Sequence, residues 1–166
     1  MLPEIPVSTV LPACFFAVLW PMVGLPAAAA LPMYGSVLLI SWTSASLAMW
    51  VSAAVFDGDA AGNVMVVCMV FCMCGGGFFI DLTAQPPAVA WVRFASYWYY
   101  SMGLMAQLLL KFGDDPDGSL AAALDGYSFN LTWSEGQNAT ALLAFGLFFR
   151  LAAYLTLRFS SKIRFS

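Results

Sequence analysis

The chain has 166 residues, 62% of them hydrophobic and 9% charged, with a mean hydropathy of +0.85 and no histidine. A soluble domain carries about 25% charged residues, so the composition excludes an ordinary soluble fold and points to a polytopic membrane protein. The net charge of -3 is the sum of segregated acidic and basic regions, and six scattered Lys and Arg residues exclude a nucleic-acid interface.

Met1-Leu-Pro-Glu4 carries no positive n-region, so the start does not read as a cleaved signal peptide. The apolar run over 5–24 holds Pro6, Pro12 and Pro21. Prolines are tolerated in a bilayer where neighbouring helices re-satisfy the freed carbonyls, which predicts a kinked span. Gly24-Leu25-Pro26 ends it. A second predicted span, 31–55, carries Ser36, Ser41, Thr43, Ser44, Ser46 and Ser52. Small hydroxyl residues let helices approach closely and hydrogen-bond across the contact. They pack a neighbouring helix or line a substrate path, for which Ser41 and Ser44 are the candidates; packing is the plainer reading.

Asp57-Gly58-Asp59 makes a polar turn into the stretch that organises the pattern, Ala60 to Ile80, with no charge between Asp59 and Asp81. At 1.5 Å per residue such a helix crosses roughly 30 Å, one hydrocarbon core, giving a third span over 62–82. Gly75, Gly76 and Gly77 break it, with backbone freedom expected to replace packing, and deliver Phe78 and Phe79 near its end. Met65, Met69 and Met73 share one helical face, as core or lipid contacts do. Cys14, Cys68, Cys72 and Cys74 lie in apolar runs with no His or nearby carboxylate to complete a metal site, so they read as small buried hydrophobes.

Segment 86–110 contains Trp91, Tyr97, Trp98, Tyr99 and Tyr100 together with Arg93. It is either a fifth span or a helical hairpin that lies in or dips into the interface, and the aromatic density and Arg93 favour the hairpin. The polar loop 111–136 includes Asp114, Asp115, Asp117, Asp125 and Glu135. Two glycosylation sequons follow one another, at Asn130 and Asn138, the second close to the next span. The last predicted span, 139–159, ends in Arg158, Lys162 and Arg164. By the positive-inside rule the C-terminus is cytoplasmic and the loop extracytoplasmic. Arg150 stands midway along that run with no acid in the spans to pair with it, so backbone carbonyls or a residue outside the chain are expected to serve.

Several of these residues, in this order, resemble the C-terminal part of the transmembrane domain of the G subfamily of ABC transporters, the white/half-transporter group. Leu2-Pro3-Glu4-Ile5-Pro6 with Pro12, and Met22-Val23-Gly24-Leu25, resemble that family's third span. Gly75-Gly76-Gly77-Phe78-Phe79-Ile80 resembles the Gly-rich end of its fifth span, and Trp91 with Tyr99-Tyr100 falls where the family has a re-entrant hairpin. Phe149-Arg150-Leu151, Tyr154-Leu155 and Leu157-Arg158 resemble the closing span. Tyr99-Tyr100 and Leu108-Leu109-Leu110 depart from the family's Arg-Tyr pair and Asn-Glu-Phe-like hairpin end, and the loop lacks the cysteines of many relatives.

The resemblance implies an all-α polytopic membrane protein: four transmembrane helices equivalent to spans three to six of a half-transporter, a re-entrant or interfacial hairpin and an extracytoplasmic loop. It implies a homo- or heterodimer in a plasma or internal membrane, a hydrophobic small-molecule substrate, and Phe78 and Phe79 as a plug between cavity and exterior. No Gly-x-x-x-x-Gly-Lys-Ser/Thr phosphate loop occurs, so ATP and Mg are expected on a nucleotide-binding domain outside these residues, and the chain is expected to be a piece of a longer protein. The alternative is a stand-alone permease or assembly subunit without its own ATPase. An intramembrane enzyme is excluded by the missing histidine and by Asp57-Gly58-Asp59 lacking the protease Gly-x-Gly-Asp pattern.

Overall fold

The computed structural model describes residues 4–24, 26–55, 57–76, 91–113, 122, 124, 129 and 131–164, and for 4–8, 23 and 160–164 the backbone alone. The main elements are α1 (Glu4–Val23), a 3-10 turn (Ala27–Ala29), α2 (Ala30–Ala54), α3 (Gly58–Cys74), α4 (Val92–Ala95), α5 (Tyr97–Phe112) and α6 (Glu135–Arg164). No strand occurs among the described residues.

Helix boundaries follow local chemistry. α1 continues through Pro12 and Pro21 and stops at Gly24, whose φ of 68° is the left-handed conformation that a glycine adopts without a Cβ penalty. Asp57 caps α3 by accepting the Asp59 N–H at 3.3 Å. α6 opens with a reciprocal capping pair: the Ser134 N–H donates to Gln137 Oε1 at 2.9 Å and the Gln137 N–H to Ser134 Oγ at 3.4 Å.

Among the described residues two stretches are long and apolar enough to cross a bilayer, Ala27–Ala54 and Glu135–Phe159. The apolar part of α1, Thr9–Met22, and the 17-residue α3 are shorter; α3 rises only ~26 Å, and the rest of the expected crossing 62–82 beyond Gly76 lies outside the described residues.

The fold is centred on α2 and α6, which share the largest interhelical contact, rather than on the glycine-broken run expected to organise it. α3 sits at the periphery with Val64, Val66, Val67, Val70 and Phe71 exposed. The reason is visible at the contact: Thr43 and Ser46 of α2 are fully buried and Gly146 of α6 leaves room for the Trp42 indole, whereas α3 turns Val64, Val66, Val67 and Val70 to the outside. Thr43 is fully buried, its hydroxyl 2.8 Å from the Leu39 carbonyl and 3.2 Å across the seam from that of Leu142. Trp50 stacks on Phe149 with ring centroids 5.8 Å apart.

Arg150 finds two partners inside the chain, for its Nε and for the face of its guanidinium. Its Nε donates to Ser46 Oγ at 3.1 Å, its guanidinium lies 4.8 Å from the Trp42 ring centroid, and Ser46 in turn donates to the Trp42 carbonyl at 2.7 Å. Neither a carbonyl nor an outside residue takes this bond; a hydroxyl and an indole of α2 do. The pairs Trp42/Gly146 and Ser46/Arg150 also show that α2 and α6 run parallel.

Aromatic rings link the remaining helices. Tyr100 of α5 packs against Phe145 of α6 at 5.6 Å and Trp133 at 5.4 Å, and Phe145 continues to Phe149 at 5.9 Å. The pairs Tyr100/Phe145, Asn138/Gln107 and Lys111/Glu135 set α5 antiparallel to α6. Lys111 and Glu135 pair at 2.9 Å in an exposed position, worth at most about 1 kcal/mol.

A Cβ built on Gly146 would stand 2.4 Å from Trp42 Cζ3, inside any real contact distance. Gly146→Ala therefore forces the indole off the seam, and we expect a loss of about 1–3 kcal/mol, read as a lowered midpoint of thermal unfolding in detergent monitored by tryptophan fluorescence.

Candidate functional site

A cleft of about 730 Å³ opens between α1, α2 and α5. α1 contributes Leu11, Pro12 and Phe15; α2 contributes Val37, Ile40 and Ser41; α5 contributes Trp98, Ser101, Met102 and Met105. No charged residue lines it. Leu11 and Phe15 are 72% and 60% exposed, so the cleft opens sideways, toward what in a bilayer is hydrocarbon. The two methionines are unbranched and adapt to irregular apolar shapes. The Ser101 hydroxyl is turned to the Trp98 carbonyl at 2.9 Å, and Ser41 lines the cleft from α2.

The floor of this region is the junction of α3 with α4 and α5. Ser96, fully buried and extended at φ -91° and ψ 117°, breaks the helix between α4 and α5 and donates to the Cys72 carbonyl at 2.6 Å. That bond satisfies one of the carbonyls left open where α3 ends. Tyr97 OH donates to Met69 Sδ at 3.2 Å and engages Ser44. α5 thus begins beside Ser44, midway along α2, and passes Ser36, whose hydroxyl lies 3.2 Å from Met105 Sδ. It ends beside the start of α6. Its 16 residues rise ~24 Å, less than a hydrocarbon core.

Gly75 and Gly76 serve a different purpose from the one expected. Gly75 has an ordinary helical φ of -75°, so it is not needed for backbone freedom. A Cβ there would meet Ser96 Cβ at 2.9 Å, and one on Gly76 would meet Trp98 Cβ at 3.1 Å. The missing side chains let the end of α3 press against the start of α5.

The residues singled out in the sequence divide accordingly. Ser41 lines the cleft; Ser44 faces Tyr97; Ser36, Thr43 and Ser46 belong to helix packing. Gly77, Phe78, Phe79 and Asn130 lie outside the described residues. Asn138 is fully buried in the first turn of α6, its amide donating to Gln107 Oε1 at 3.3 Å, so in the folded chain the nitrogen a glycan would occupy is engaged in packing. Gln107 also donates from Nε2 to the Trp133 carbonyl. All four cysteines are free thiols; Cys72 is buried, whereas Cys14 is exposed on α1 rather than buried as expected. Met65 and Met69 pack against the core. Sequence reasoning missed the cleft face of α5, although Trp98, Ser101, Met102 and Met105 follow the three- and four-residue spacing of one helical face.

These features define a membrane-embedded helical domain with a lateral apolar cleft. The sequence profile of the ABC-2 type transporter family matches residues 1–110, which covers α1 to most of α5, and the chain belongs to that family. Membership implies a membrane domain of an ABC-type transporter and association with an ATPase. No curated protein matches this sequence.

Removing the Ser96 hydroxyl leaves the Cys72 carbonyl without its buried donor. Ser96→Ala is expected to cost about 1–2 kcal/mol, with amide hydrogen exchange accelerating first at 72–76 and 91–98.

Proposed function

We propose that this chain is the membrane part of a G-subfamily half-transporter that exports lipids, sterols or other hydrophobic compounds by alternating access. The observation that carries the reading is the uncharged cleft between α1, α2 and α5 in a membrane domain of the ABC-2 family. Its ~730 Å³ falls within the range of small-molecule sites, and its lining of apolar residues with two serines, Ser41 and Ser101, suits an amphipathic molecule with few polar atoms.

The mechanism follows from packing. The α2–α6 pair is the rigid body, and α1 meets it mainly through α2, so movement of α1 against α2 and α5 opens or closes the cleft. The driving free energy comes from ATP and Mg on the associated nucleotide-binding domain, as a homo- or heterodimer. Phe78 and Phe79 form the gate toward the exterior. The topology is four spans with α5 as the returning limb of a re-entrant hairpin. Support comes from the parallel course of α2 and α6: two crossings in one direction need an odd number of crossings between them, which α3 alone supplies if α5 turns back. The C-terminus is then cytoplasmic and the loop holding Asn130 extracytoplasmic.

The test uses the transporter assembled with its ATPase in proteoliposomes. Ser41→Trp, which fills the cleft, is expected to lower export of a fluorescent sterol or phospholipid at least tenfold with unfolding temperature retained. Undiminished export would remove the cleft from the substrate path. The Phe78→Ala/Phe79→Ala double variant is expected to change the transport rate severalfold while leaving folding intact; an unchanged rate would remove the gate.

A further inference from the structure

We infer that the α2–α6 seam is a docking surface for a membrane-spanning helix that carries one Asp or Glu at mid-span depth and lies outside these 166 residues. The starting point is Arg150. A guanidinium has five N–H donors and stays charged at any relevant pH. Among the described residues its contacts are the Nε bond to Ser46 and the face of Trp42. The four Nη donors are left over. Arg150 is half-buried, so this end of the guanidinium reaches the surface of the helix pair.

Depth decides what can meet them. Arg150 lies roughly 15 Å from either end of the apolar run Ala139 to Phe159, so neither bulk water nor lipid phosphate is at its level. The side chain cannot snorkel, since Ser46 and Trp42 pin it across the seam toward α2. Four unmet donors on a fixed charge in hydrocarbon call for a carboxylate at the same depth. An acid on a packed helix is held there; a lipid headgroup is not.

A second copy of this chain does not supply it. In the sequence every acid stands outside the uninterrupted apolar runs, at Glu4, Asp57, Asp59 and Asp81 and from Asp114 to Glu135, so no run of a second copy carries one at its middle. The surface beside Arg150 is apolar and open, with Leu147, Leu151 and Tyr154 each more than half exposed, as a helix contact requires. Gly146, one turn away, is occupied by Trp42, which holds the guanidinium in place for a partner instead of letting it fold back.

The experiment places a photo-reactive benzoylphenylalanine at Leu147 or Tyr154 of the full chain in its native membrane and sequences the cross-linked peptide. The expected product is an apolar helix with an Asp or Glu within one turn of the cross-link. Changing that acid to its amide, which leaves this chain and its folding untouched, is expected to lower cross-linking about tenfold. Arg150→Glu combined with acid→Arg in the partner is expected to restore it. Cross-links only to lipid, to a second copy of this chain or to a helix without an acid would overturn the inference, as would cross-linking unaffected by the amide substitution.

Discussion

The structure depends on one seam, where Trp42 and Ser46 of α2 meet Gly146 and Arg150 of α6. Each member is one helical turn from its neighbour on the same helix, and each is needed by another. Gly146 gives the indole room, the indole covers the guanidinium, and the Ser46 hydroxyl accepts from Arg150 while donating to its own helix. A charge in the middle of an apolar helix is costly, and this arrangement meets part of the cost with a ring quadrupole and one charge-assisted hydrogen bond. The seam fixes the parallel register of α2 and α6, and the positions of the other helices follow from that register.

α5 is the second consequence. It packs antiparallel into the angle between α2 and α6 through Tyr97, Tyr100, Leu104 and Leu108, all buried. Its first residue stands beside Ser44 rather than at a helix end, so it stops short of the full depth and leaves its Trp98–Met105 face toward α1. The cleft exists because α1 leans on α2 and does not fill the space over that face. A cleft of this kind needs no polar machinery; it needs a rigid wall on one side and a less constrained helix on the other.

The end of α3 shows how glycine can be used for proximity instead of flexibility. Gly75 and Gly76 remove side chains where Ser96 and Trp98 press in, and the Ser96 hydroxyl then closes the open carbonyl of Cys72. The contact couples the start of α5 to α3. In a transporter, movement of α3 would reach the cleft through this joint with no side chain between the backbones to absorb it.

The sequence by itself determined the membrane class, the helical character and the family likeness, because these rest on composition, on proline and glycine punctuation and on short motifs that act over a few positions. The polar turn at Asp57-Gly58-Asp59 and the stop at Gly24 are of that kind. It marked Arg150 as anomalous and named Ser41 among several serines, but could not say which hydroxyl faces what. Ser41, Ser44 and Ser46 lie within two turns of one helix, and their separate fates in cleft, joint and seam are set by which neighbour arrives on each side. That depends on contacts such as Ser46 to Arg150, 104 residues apart in the chain, which no local pattern encodes. Only the tertiary structure decided that α2 and α6, not the glycine-broken run, form the centre, because the fit of Trp42 over Gly146 and of Ser46 to Arg150 needs complementary residues on two helices at once.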